Sequence, residues 1–193
     1  NNSYKITPRE FDIWMRVLSQ IDGSVLWLLE ANKWVSQNLR SAAQTRGIDP
    51  SRLIFAPKLA HDEHLARHSC ADLFIDTFNV NAHTTASDAL WAGLPLVTKA
   101  GKGFAARVAA SLLTAIGLPE LIVETEAAYE ALILDLARSP QQLQAVTDKL
   151  AQNRRSSPLF DAALLTKHLE TGYRAAYQGW MEQKPPAHIR IAP

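Results

Sequence analysis

Hydrophobic residues along this chain fall into two textures. Five short runs are almost solidly apolar: "SVLWLLE" at 24–30, "SRLIFAP" at 51–57, "ADLFIDT" at 71–77, "LPLVT" at 94–98 and "LPELIVE" at 118–124. Runs of that length read as strands buried on both faces. Between them, apolar residues recur every three or four positions, the spacing of amphipathic helices. Phe11, Trp14, Met15 and Leu18 mark the first helix, with Thr7 as N-cap and Pro8 at its first position. "NKWVSQNLRSAAQTRG" at 32–47 predicts a second, stopped by Gly47, and "HDEHLARHSC" at 61–70 a short third. "GKGFAARVAASLLTAIG" at 101–117 predicts a helix with Gly103 near its start and Gly117 at its end. From Thr125 the pattern is helical over 125–139, 140–157 and 158–183, before a Pro-rich tail at 184–193 that reads as extended.

Solid apolar strands alternating with helices predict an α/β fold, a doubly wound, mostly parallel, Rossmann-like sheet covered on both faces. Ligands of such sheets bind outside the carboxyl ends of the strands. That rule selects the loops 56–64, 77–85 and 98–103. The middle loop opens "NAHTTASDALWAGLPLVT" at 81–98, a helix with a polar mouth, stopped by Gly93 before Pro95 starts a strand. Thr84 or Thr85 reads as its N-cap. Alternatively, His83, Thr84 and Thr85 form a diphosphate cradle, because helix-start N–H groups and the helix dipole attract anions. Asp88, one turn on, either accepts the two hydroxyls of a ribose or compensates the dipole. His61, His64, Arg67 and His68 share a short helix. They form a nucleobase pocket or a solvated face; H-x-x-H with no cysteine beside it is a poor zinc signature. Lys5 has a role only if its segment packs over the cradle, and Arg107 points outward or into the site. The Trp residues read as packing. No GxGxxG or P-loop sequence is present.

Composition narrows this further. The chain has 193 residues, 47% hydrophobic and 20% charged, enough for one good core. A net charge of +1 carries no general attraction to nucleic acid or a membrane surface. The single cysteine, Cys70, forms no disulfide within the chain and suits a reducing, cytoplasmic compartment. No apolar run approaches the roughly 20 residues of a membrane span. The opening "NNSYKITPREF" lacks Met and reads as the start of an excised piece of a longer chain.

In order along the chain, "NNSYKITP", "SVLWLLE", "RLIFAP", "DEHLAR", "ADLFIDT", "NAHTTASDALWAGLPLVT", "ARVAASLL" and "RRSSPLF" resemble the C-terminal catalytic lobe of the protein O-linked N-acetylglucosamine transferases. The plant SPINDLY-type protein O-fucosyltransferases share the outline. The resemblance implies a GT-B glycosyltransferase of two Rossmann-like lobes, with residues 1–193 as the nucleotide-sugar-binding C-terminal lobe. Helices at about 158–182, with an apolar stripe including Leu165, Leu169 and Tyr173, would pack back toward an N-terminal lobe absent from this chain. It implies that Lys5 contacts the diphosphate and steadies the leaving group. His83, Thr84 and Thr85 would hold the phosphates, and Asp88 the ribose. His64 would stack near the uracil with Arg67 beside it, and the backbone near Leu59 would read the uracil edge. His61 stands where animal members carry a lysine, and the first half of "KAGKGFAAR" also departs from them. The implied reaction is inverting transfer of GlcNAc from UDP-GlcNAc to Ser or Thr hydroxyls of proteins, with no metal or other cofactor. The implied partners are a UDP-sugar, a protein or peptide acceptor, the N-terminal catalytic lobe and tetratricopeptide repeats, with no nucleic acid and no membrane. A GDP-fucose donor and a non-catalytic nucleotide-sugar-binding module are the alternatives.

Overall fold

The computed structural model describes residues 2–191; Asn1, and Ala192 and Pro193 of the expected extended tail, lie outside the described residues. The chain alternates helix and strand: α1 (Pro8–Gln20), β1 (Leu26–Leu29), α2 (Lys33–Thr45), β2 (Leu53–Ala56), α3 (His61–Arg67), β3 (Phe74–Ile75), α4 (Thr84–Ala92), β4 (Leu96–Lys99), α5 (Val108–Ala115) and β5 (Ile122–Val123). Three consecutive helices follow: α6 (Glu126–Arg138), α7 (Pro140–Ser156) and α8 (Ala162–Met181).

Local chemistry sets the boundaries. Pro8 occupies the first position of α1, and the Glu10 carboxylate accepts from the Thr7 backbone N–H at 2.7 Å and from the Thr7 hydroxyl, closing a capping box. Gly93 ends α4 in the left-handed region at φ 91°, which a residue with a β-carbon rarely adopts.

All strand pairs are parallel. Leu26 lies opposite Leu53, Phe74 opposite Leu96, and Thr98 opposite Ile122. The strands form two ladders, β1-β2 and β3-β4-β5, yet one hydrophobic cluster joins them. Leu26 and Leu53 belong to it with Leu96, Val97, Leu90 of α4 and Ile133 of α6. The apolar face of α1 enters the same cluster through Phe11, Trp14, Met15 and Leu18. Trp14 Nε1–H donates to the Tyr129 hydroxyl at 3.1 Å, and that hydroxyl donates to the Asp76 backbone carbonyl at 2.8 Å. Helices α1 and α6 are thereby tied to the carboxyl end of β3. Burial pushes the Tyr129 hydroxyl well above its ordinary pKa, so it stays a neutral donor.

Three expectations change. The helix expected across 101–117 begins only at Val108. Residues 101–106 instead close a tight loop in which Gly101 N–H donates to Ala106 O at 2.8 Å. A β-carbon at 101 would stand 2.5 Å from that of Ala106, so the loop demands glycine. The Trp residues are not uniformly core: Trp14 is buried, but Trp34, Trp91 and Trp180 are exposed. Helix α8 buries no residue, and Leu165, Leu169, Tyr173, Tyr177 and Trp180 lie open along it. Among the described residues, no helix is long and apolar enough to cross a membrane.

Candidate functional site

The loop from β3 to α4 is the centre of the site. Its shape is set by Asp76, a fully buried acid at the strand end. Asp76 Oδ1 accepts from the backbone N–H of Thr77 at 2.8 Å and of Ala82 at 2.7 Å, while Oδ2 accepts from the Thr98 hydroxyl of β4 at 2.7 Å. The loop therefore leaves the strand, circles and returns to the same carboxyl group one residue before His83. Asn81 braces the circle from inside, donating from Nδ2 to Thr77 O at 2.7 Å.

His83 is the N-cap of α4, with Thr84 and Thr85 as its first two helical residues. This corrects the expectation that Thr84 or Thr85 caps the helix. The reason lies in the backbone: His83 O accepts from both Ala86 N–H and Ser87 N–H at 3.1 Å, and His83 has non-helical φ and ψ. The His83 side chain makes no capping bond. Its Nε2 lies 3.2 Å from Ala105 O, which fits a proton on Nε2. Thr84 is exposed and Thr85 half-buried at this helix start.

The N-terminal segment packs onto the same loop. Lys5 Nζ donates to Asn81 O at 2.9 Å, 76 residues along the chain. Lys5 is thereby held against the loop that leads into α4, at a residue two before His83 in the chain. Asn81 N–H in turn donates to Ala105 O at 2.8 Å, so the 3₁₀ turn at Phe104–Ala106 supports both Asn81 and His83. Arg107, exposed at the end of that turn, donates to Gly101 O at 2.8 Å.

The second group lies on α3, which packs against α4. Arg67 donates through Nε and Nη2 to His64 Nδ1, at 3.1 and 2.8 Å. His64 Nδ1 must then carry a lone pair, leaving the proton on Nε2. Burial first, then the charges of His68 and Arg67, hold His64 below its usual pKa, while Asp88 partly opposes them. Asp88 lies on α4, the helix packed against α3. Arg67 also donates to Pro57 O at 2.6 Å and lies 5.5 Å over the Trp27 ring. One guanidinium therefore fixes the imidazole, strand β1 and the loop that carries Leu59. His68 is a buried support, with Nδ1 2.7 Å from His64 O and its ring 4.6 Å from that of His64. Leu59 and His61 are exposed, Leu59 on the loop after β2 and His61 at the first position of α3.

The structure thus ties Lys5 to the loop that leads into His83, Thr84 and Thr85, bonds Arg67 to His64, and packs their helix α3 against α4, which carries Asp88. Among the described residues, His61 and His64 belong to no metal-type cluster of three His, Cys, Asp or Glu. Sequence reasoning missed Asp76, the bracing role of Asn81 and the 104–106 turn. A lone acid closing the apolar run "LFID" was the available signal, since an acid beside a buried strand needs buried donors.

Parallel strands with an anion-attracting helix start and a His/Arg/Asp group at their carboxyl ends define a Rossmann-like lobe of the GT-B type. The chain belongs to glycosyl transferase family 41, whose family model matches residues 1–169. It is 35% identical over 189 residues to the UDP-N-acetylglucosamine--peptide N-acetylglucosaminyltransferase of Caenorhabditis elegans, covering 98% of this chain and 16% of that protein. It is 34% identical over 192 residues to the probable UDP-N-acetylglucosamine--peptide N-acetylglucosaminyltransferase SEC of Arabidopsis thaliana, covering 99% of this chain and 20% of that protein. A solved structure of a mutant Thermobaculum terrenum O-GlcNAc transferase superposes with TM-score 0.83 at 30% identity, over 89% of this chain and 34% of that one. The chain thus spans about a fifth or less of the curated relatives it matches.

Proposed function

We propose that this chain is the nucleotide-sugar-binding lobe of a protein O-GlcNAc transferase, which moves GlcNAc with inversion from UDP-GlcNAc to Ser or Thr hydroxyls. The observation that carries the reading is the bond from Lys5 to Asn81 O, which holds an ammonium group beside the start of α4. On this reading the diphosphate sits between Lys5 and the first turn of α4, with the backbone N–H of His83, and Thr84 and Thr85, as donors. Charge that grows on the departing UDP is met by a fixed ammonium and by backbone N–H groups, which need no reorganisation during the reaction. Such a site works without a metal.

Asp88 takes the ribose hydroxyls. His64 stacks on the uracil, with Arg67 fixing its tautomer, and the backbone near Leu59 reads the base edge. His61, exposed at the start of α3, lies on the ribose side. The acceptor hydroxyl and its base come from outside this lobe. The open apolar stripe of α8 is the surface that packs back onto an N-terminal catalytic lobe, and tetratricopeptide repeats of the same protein select acceptors. The single exposed Cys70 suits work in the reducing cytoplasm.

The test, on the full-length protein, is a thermal-shift and calorimetric comparison of UDP, UDP-GlcNAc, GDP and GDP-fucose, beside a transfer assay with and without EDTA. Stabilisation by UDP and UDP-GlcNAc alone, with transfer indifferent to chelation, supports the reading. Preference for GDP and GDP-fucose replaces the donor, and loss of transfer in EDTA restored by a divalent ion overturns the metal-free chemistry.

A further inference from the structure

Beside the 104–106 turn, a groove of about 1130 Å³ that does not include Lys5 opens at the carboxyl ends of β4 and β5. It is lined by Phe78, Asn79, Lys99, Lys102, Arg107 and Glu124, among others. Three cations thus face one carboxylate. Among the described residues, none of the three cations makes an ion pair. Lys99 is half-buried, with Nζ 4.7 Å over the Phe78 ring, so its charge is held at the groove wall rather than swung freely in solvent. Arg107 is held by its bond to Gly101 O. Phe104, between the lining residues Gly103 and Ala105, is 83% exposed and its ring lies 6.1 Å from that of His83. An apolar edge therefore connects the cationic groove to the site.

We infer that this groove binds acidic side chains of the acceptor polypeptide. The inference rests on the proposed transferase reading. Charge complementarity decides the occupant: the groove presents unpaired, positioned positive charge and an apolar rim, which fit a chain segment carrying carboxylates beside its hydroxyl. The volume also exceeds what a lone small anion fills and suits several residues of an extended segment. The diphosphate of the donor is already accommodated by Lys5 and α4.

The test measures binding of a labelled Ser-containing peptide with flanking glutamates, and of its glutamine counterpart, to the purified protein by fluorescence anisotropy with UDP present. The acidic peptide should bind about fivefold more tightly per engaged glutamate at low ionic strength, with the preference shrinking as salt rises. Lys99→Met with Lys102→Gln should remove the preference and leave UDP affinity unchanged. Lys102→Glu alone, at an exposed position that does not threaten the fold, leaves two cations against two carboxylates and should likewise abolish the preference. A preference that survives both variants overturns the inference, as does displacement of the acidic peptide by UDP, which would put these cations in the donor site. Absence of UDP or UDP-GlcNAc binding would refute the donor reading instead, and the peptide comparison would still decide the groove.

Discussion

Asp76→Ala removes a fully buried carboxyl group that accepts from Thr77 N–H, Ala82 N–H and the Thr98 hydroxyl at 2.7–2.8 Å. Two backbone donors lose this acceptor in a region closed to water, and the Thr98 hydroxyl must turn elsewhere. Each buried group left unsatisfied costs about 1–3 kcal/mol, so the whole change costs about 3–5 kcal/mol. Against a domain stability of roughly 5–15 kcal/mol that is a large share. For a chain of this size it corresponds to a fall in Tm of about 6–20 °C. Asp76→Asn is the informative partner. Its carbonyl oxygen can still accept both N–H groups, and its amide can donate to the Thr98 oxygen, so the loss should be only about 1–2 kcal/mol. Urea unfolding followed by circular dichroism measures both variants, and calorimetry with UDP measures the site. UDP affinity should fall far more in the alanine variant, because the loop that ends at His83 loses its anchor. An alanine variant within about 1 kcal/mol of wild type would refute this hydrogen-bond accounting. So would equal losses in the two variants.

Lys5→Ala should lower kcat more than it weakens donor binding, by about 10- to 100-fold, because a charge-assisted bond of about 1.5–3 kcal/mol strengthens as the leaving phosphate gains charge; an unchanged kcat on a protein acceptor would remove Lys5 from that role. Asp88→Asn should weaken UDP binding while leaving the unfolding midpoint near wild type, and wild-type affinity for 2′,3′-dideoxy-UDP equal to that for UDP would show that Asp88 does not read the ribose. His64, held below its ordinary pKa by burial and by the charges of His68 and Arg67, favours the neutral form in the fold. Protonation therefore favours the unfolded chain: stability should hold above about pH 6.5 and decline as pH falls from there toward the lowered folded value. Protonation should also break the Arg67 bonds to Nδ1, so UDP affinity should drop over the same window. His64→Gln should flatten both profiles, and a profile unchanged by that substitution would assign the titration to another group.

Much of the fold was legible in the chain because burial writes itself into periodicity. Solid runs such as "LWLL" and "PLVT" predict strands, and the 3.6-residue pattern of Phe11, Trp14, Met15 and Leu18 predicts a helix on the core; burial is complete along "PLVT", while in "LWLL" only Leu26 is buried. Parallel strands then direct attention to their carboxyl ends, which is where Lys5, His64, His83, Thr84, Thr85 and Asp88 are found. These are local or near-local properties: a residue's neighbours in sequence are also its neighbours in a helix or strand. The cap of α4, the late start of α5 and the work of Asp76 were decided by tertiary structure. His83 takes the cap position because the loop before it is tied back to Asp76, six residues earlier than Ala82, and to Ala105, 22 residues beyond His83. Gly101 folds onto Ala106 instead of entering a helix because the turn there must support Asn81. Lys5 reaches Asn81 across 76 residues, a pairing no local pattern encodes. Sequence carries what each residue can bury or donate; which donor meets which acceptor is settled only when the folded chain excludes water and leaves each buried polar group to find its partner.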